Sequence, residues 1–160
     1  MRGLKAGKFL CVIKTDAWYK GTLIPIGYSI VDSFIRRGVN LHAHWIWEKI
    51  PYYSPYSPSF ANVFIFGEPP MRRIPYSGIL TDSHIKKQRD RPFTFTPEIF
   101  ETLLKFLCRR GDTVLDPFLG TGSLIEAAAR TGRWAVGVEI SKRQIANAKR
   151  LLTNRPVVVR

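Results

Sequence analysis

Apolar residues along this chain follow two different spacings, and the switches between them mark out its elements. Residues 8–15 are apolar by composition and predict a buried strand. Asp16 to Gly21 reads as a turn carrying exposed aromatics. Ile24 to Arg37 has Ile26, Ile30, Val31 and Phe34 at helical spacing, with Gly38 as its stop. Leu41 to Ile50 alternates and predicts a strand, and Ala61 to Phe66 predicts a second, antiparallel one. Between them, Pro51 to Pro58 holds three prolines in eight residues and cannot be regular structure. A loop of about twenty residues follows, long enough to be functional or disordered. Pro97 then opens a helix at its first position, with Thr96 as cap and Glu98 and Glu101 in the first turn.

From Asp112 onward the pattern tightens. Thr113 to Leu115 is a short apolar strand running into a turn with Gly120 and Gly122. Leu124 to Arg130 is helical, and Gly132 stops it. A second strand, Trp134 to Val138, ends on Glu139. Ser141 caps another helix, in which Ile145, Ala148, Leu151 and Leu152 share a face. The result is a β-α-β-α unit with a glycine turn after its first strand and an acid at the tip of its second.

That layout suits a ligand containing a nucleoside. Glycines let the backbone pass close to a ligand, and an acid at the next strand end can accept hydrogen bonds from ribose hydroxyls. Dinucleotide sites carry a third glycine in the turn, but here position 125 is Ile125. Asp116 at the head of the turn would repel a pyrophosphate and would hold an ammonium group. S-adenosylmethionine, with a ribose and an amino-acid end, fits better than NAD.

Asp116-Pro117-Phe118-Leu119-Gly120-Thr121-Gly122-Ser123 resembles the cofactor turn of the DNA methyltransferases that act on adenine N6 or cytosine N4. The order of the other matches resembles the permuted group, in which the catalytic half precedes the cofactor half. Phe93 to Leu107 is similar to its helix lead-in, Trp45-Ile46-Trp47-Glu48-Lys49 to its strand ending in Trp-x-Lys, and Gly7 to Asp16 to the strand after its catalytic loop. The resemblance implies an α/β fold: a Rossmann-like methyltransferase sheet with an antiparallel strand pair. It implies a single domain over 1–160, with a remainder of the catalytic half at 1–70, a basic loop at 71–92 and a cofactor half at 93–160. The implied cofactor is S-adenosylmethionine, held by Phe95, Thr96, Asp116, Pro117, Phe118, Gly120, Thr121, Gly122, Ser123, Glu139 and Ile140.

One family feature is missing. The catalytic motif is an acid, Ser or Asn followed by Pro-Pro and an aromatic, and it should lie before Gly7. Glu68-Pro69-Pro70-Met71 has no aromatic, and Ser54-Pro55-Tyr56 and Ser57-Pro58-Ser59 lack a second proline. No catalytic residue is therefore assigned, and the sheet is expected to lack its central strand, between the Thr113 and Phe9 strands. Three outcomes follow: those two strands pair directly, another chain or a second copy supplies the strand, or the piece folds poorly alone. The function expected is a DNA methyltransferase or a truncated piece of one. The alternatives are a DNA- and cofactor-binding remnant or subunit, an RNA guanine methyltransferase, whose catalytic motif would follow the cofactor turn, and, as an outsider, a nicotinamide enzyme.

Charge adds a partner. Lys and Arg number 25 against 12 acids, a net charge of +13, which points to a polyanion. Between Met71 and Arg91 stand Arg72, Arg73, Lys86, Lys87, Arg89 and Arg91, against Asp82 and Asp90, at the place of the family's target-recognition segment. DNA is the expected partner and these six residues its contacts. Tyr52, Tyr53, Tyr56 and Phe60 read first as a cover for the strand pair and second as a base-stacking surface. Neither a run of 18 apolar residues nor a secretion signal is present, so a cytoplasmic protein with no membrane contact is expected. Cys11 and Cys108 read as reduced core residues. His42 and His44 share a strand face without a third metal ligand, so no metal is expected.

Overall fold

A computed structural model describes residues 7–49, 60–69, 72–82 and 95–152. The proline-rich segment 50–59 and Lys86, Lys87, Arg89 and Arg91 lie outside them. The chain divides into two compact units, 1–85 and 86–160.

The first unit is built on a four-stranded sheet. Its elements are β1 (Phe9–Lys14), a hairpin of β2 (Ala17–Tyr19) and β3 (Thr22–Ile24), α1 (Ile26–Ile35), β4 (Asn40–Lys49), β5 (Phe60–Gly67) and β6 (Ser77–Asp82). The sheet order is β1-β5-β4-β6. β5 is antiparallel to both its neighbours and buried from Ala61 to Gly67, as its apolar run from Val63 to Phe66 demands, with Asn62 the one polar side chain in the buried stretch. Ile30, Val31 and Phe34 of α1 cover one face of the sheet, packing on Val39, Phe64 and Phe66. The rings of Phe34 and Phe66 stack at 4.6 Å. Trp45, Trp47, Val63 and Ile65 fill the other face and are buried.

Four sequence expectations change here. α1 starts at Ile26 rather than Ile24, because Ile24 pairs in the hairpin with Ala17. The segment Asp16 to Gly21 is a hairpin strand as well as a turn. The loop expected over 71–92 contains β6, which runs parallel to β4 from His44↔Ser77 to Lys49↔Asp82. Trp45 Nε1 donates to Pro75 O at 2.8 Å and anchors the chain just before that strand. His42 does not alternate with His44: a bulge between Leu41 and Ala43 makes it the extra residue, and it packs on Phe9. His44 stacks on Phe64 and shares a hydrogen bond with Asn62, at 3.0 Å. Cys11 and Cys108 are both free, and burial pushes the Cys11 thiol up to about 12.

The second unit holds α2 (Pro97–Leu107), β7 (Thr113–Asp116), α3 (Ser123–Arg130), β8 (Trp134–Gly137) and α4 (Lys142–Leu152). β7 and β8 pair in parallel, Thr113↔Trp134 through Asp116↔Gly137. Ala127 and Ala128 of α3 are fully buried against Leu104 of α2, their small side chains allowing close approach. Arg133 donates to Leu104 O, Cys108 O and Thr131 O, tying the carboxyl ends of α2 and α3 together. Gly137 lies under the glycine turn. A Cβ there would sit 2.8 Å from a Leu119 methyl and 2.9 Å from an Ile125 methyl. Gly137→Ala is therefore expected to cost about 1–2 kcal/mol by overpacking. A thermal melt unchanged from the parent's would show that the cluster has room.

Among the described residues, β1 pairs only with β5 and β7 only with β8, so each is a sheet edge.

Candidate cofactor site

The turn after β7 is built by backbone hydrogen bonds that sequence patterns do not display. Val138 N donates to Asp116 O at 2.8 Å, and Leu119 N donates to Val138 O at 2.9 Å, stitching the turn to the end of β8. Asp116 Oδ1 accepts from Phe118 N at 3.0 Å, which folds Pro117 and Phe118 over the strand end. Gly120 (φ +54°) and Gly122 (φ +89°) both take the left-handed conformation, and Gly122 is the N-cap of α3. A Cβ on Gly122 would meet Ala148 Cβ of α4 at 3.3 Å, so backbone conformation and helix packing both call for glycine there. Around Gly120 the nearest atom to an added Cβ is Phe118 O at 3.9 Å, and the space is open.

Glu139 is the hub. Its Oε2 accepts from Gly120 N at 2.9 Å and its Oε1 from Ser141 N at 2.8 Å. Each oxygen keeps capacity for a further hydrogen bond. These backbone donors, Ser141 first, hold the Glu139 carboxyl below its ordinary range. Asp116 goes the other way. Burial, with a smaller push from the Glu139 charge, raises it, against the opposing hydrogen bond from Phe118. Two carboxylates thus flank one turn with opposite shifts, a combination that clusters at functional sites.

The other expected residues fall as follows. Ile140 (97% exposed) and Phe118 (88%) present apolar surface beside the turn, a cost of exposure to water that a planar ligand would relieve. Thr121 is half-buried in the turn; Ser123 is buried, and its Oγ has no hydrogen-bond partner among the described residues. Thr96 is the extended N-cap residue of α2, and Phe95 packs edge-on against Phe100. Arg72 and Arg73 are exposed before β6. Sequence reasoning missed Ser141 as a holder of Glu139. Ser141-x-x-Gln144 has capping-box spacing, and Ser141 Oγ accepts from Gln144 N at 3.4 Å. The reciprocal bond is not made because Ser141 N is taken by Glu139, and Gln144 Oε1 has no partner among the described residues.

Residues 9–150 match the family model of the N6/N4 DNA methylases. The chain belongs to this DNA methylase family. Relatives within it include the type II methyltransferase M.MjaI of Methanocaldococcus jannaschii, 45% identical over 60 residues, 38% of this chain and 20% of that protein. M.HpaI of Haemophilus parainfluenzae is 30% identical over 86 residues, 51% of this chain and 27% of that one. The matched stretches thus span about a fifth and a quarter of those relatives. Among solved structures, TTHA0409 of Thermus thermophilus, assigned as a DNA modification methylase, is 26% identical with a TM-score of 0.76. The match covers 96% of this chain and 75% of that one. The same protein has been solved with S-adenosylmethionine, at TM-score 0.74. PvuII DNA methyltransferase, cytosine-N4-specific, is 16% identical and shares the fold, at TM-score 0.80 over 97% of this chain and 67% of that one. These methylases have the Rossmann-like α/β architecture that the cofactor turn implied.

Proposed function

We propose that this chain is the cofactor-binding and DNA-facing part of a methyltransferase that methylates adenine N6 or cytosine N4 of DNA with S-adenosylmethionine. The observation that carries the reading is the Glu139 carboxylate, oriented by Gly120 N and Ser141 N at the carboxyl end of β8, beside an open two-glycine turn. Glu139 accepts the ribose hydroxyls, Asp116 takes the ammonium end, and Ile140 offers an apolar face for the adenine. Thr121, Ser123, Phe95 and Thr96 complete the set at the amino ends of α3 and α2. When bound, the cofactor supplies a sulfonium methyl; the chain's own residues hold it in one orientation, so that catalysis rests on positioning. The 160 residues contain no Pro-Pro-aromatic motif. The reading therefore puts the loop that holds the target amine on another segment. Among the described residues, β1 and β7 each have a free edge able to receive a strand.

Calorimetry on the purified chain tests this reading. S-adenosylhomocysteine is expected to bind and NAD is not, since Asp116 opposes a pyrophosphate; the reverse order would make the site a dinucleotide one. Labelled methyl transfer to DNA by the chain alone is expected not to exceed that of a Glu139→Ala control. Counts above it would mean that Glu68-Pro69-Pro70 or the 54–60 segment supplies the catalytic loop after all.

A further inference from the structure

The β2–β3 hairpin carries aromatic surface that the cofactor site does not use. Trp18 and Leu23 oppose each other on one face and are 59% and 54% exposed; Tyr19, on the other face, is 60% exposed, and Tyr28 at the start of α1 is 74% exposed. A two-stranded ribbon with apolar groups on both faces is marginal in water unless something holds it. Here the base is held by Asp16, whose Oδ1 accepts from Gly27 N at 2.9 Å. The tip is a tight turn with Lys20 (φ +49°) and Gly21 (φ +78°) both left-handed, the geometry that suits a right-twisted hairpin. The structure thus displays these rings on a fixed support.

Charge decides what the surface fits. From Lys14 to Ile24 there is one acid, Asp16, and it is engaged by Gly27 N; Lys14 and Lys20 are exposed. The Lys20 ammonium lies over the Tyr19 ring, 5.4 Å from its centroid. Aromatic faces flanked by cations, on a chain of net charge +13, match a polyanion that offers planar groups. The hairpin leaves from the carboxyl end of β1, the end of a strand at which α/β sheets place their ligands. We infer that the β2–β3 hairpin is a second DNA contact, in which Trp18 and Tyr19 stack on exposed bases and Lys20 meets a phosphate. The inference rests on the DNA reading above and names a surface for it other than the basic segment 71–91.

The test measures fluorescence anisotropy of labelled DNA oligonucleotides, single-stranded and duplex, against the full 160-residue chain over a salt series. Trp18→Ala and Tyr19→Ala are each expected to weaken single-strand binding roughly 5- to 100-fold while leaving the salt slope unchanged, because stacking releases no counterions. Trp18→Phe should keep most of the affinity. Lys20→Ala should flatten the slope by about one unit. Circular dichroism melts and S-adenosylhomocysteine binding equal to the parent's show that the variants are folded. If the parent binds neither DNA, the DNA reading itself fails. If the parent binds and the Trp18→Ala and Tyr19→Ala variants bind equally well, only the hairpin contact is overturned. Sedimentation showing a parent dimer that Trp18→Ala dissociates, with DNA affinity intact, would also overturn it and make the hairpin a self-association surface.

Discussion

Replacing Glu139 by alanine is expected to weaken S-adenosylhomocysteine binding roughly 10- to 100-fold, the scale of losing hydrogen bonds to a charged group. The carboxylate is already oriented by Gly120 N and Ser141 N, so a ligand gains its acceptors without ordering a side chain. Calorimetry showing parent-like affinity would remove Glu139 from the site. Asp116 gives a contrasting signature. Its carboxyl is raised above its ordinary range, so the folded state resists its ionisation. That penalty is absent at pH values where the carboxyl is protonated in both folded and unfolded chains, and complete above the folded pKa. Asp116→Asn should therefore raise the melting temperature at neutral pH while weakening the ligand, whose ammonium loses its counter-charge. Glu139 has the opposite sign: its folded-state pKa is lowered, and its stabilisation is lost only as pH falls through that value. On acidification parent affinity should fall as Asp116 takes its proton, and the Asp116→Asn variant should lack that step. A step that survives in the variant belongs to another group.

Replacing Arg72, Arg73, Lys86 and Lys87 together by alanine should flatten the salt dependence of DNA binding. If about four of the six basic residues in the segment meet phosphate, the parent's log–log slope is roughly −3 to −4, and the quadruple variant should lose most of it. The loss should be nearly equal for all sequences, because phosphates carry no base identity. Arg72 and Arg73 stand exposed just ahead of β6, so DNA contact by them would flank an edge strand rather than a free loop. The competing surface is α4, with Lys142, Arg143, Lys149 and Arg150 exposed; Arg150 already bonds Asn147 at 2.9 Å. A quadruple variant with the parent's slope would move the DNA surface to α4 or the hairpin.

The elements that could be read from sequence are those with strong local signals. The glycine turn, the apolar helix after it, Gly132 and the acid after β8 place that unit to within a residue or two, because capping and periodicity act over a single turn of chain. β6 was not legible. Ser77-Gly78-Ile79-Leu80-Thr81-Asp82 has little strand character; it pairs because β4 offers a parallel edge and Trp45 anchors Pro75 beside it. The hairpin was half-legible: Gly21 marks the turn, but nothing in Lys20 announces a positive φ. The packing of Gly122 was not legible, because Ala148, the residue its Cβ would meet, lies 26 positions away.

By itself, the sequence determined the family, the β-α-β-α order of the cofactor half and the two acids that flank its turn. The family came from the resemblance of the Asp116–Ser123 turn; the order and the two acids follow from residue type and short spacing. Only the tertiary structure decided that Glu139 is clamped by two backbone N–H groups, that Asp116 and Glu139 shift in opposite directions, and that Trp18 and Tyr19, read as exposed in a turn, stand on opposite faces of a hairpin. Backbone donors are identical in every residue but proline, and burial depends on what the chain brings back from far along its length. Neither leaves a mark at the residue where it acts.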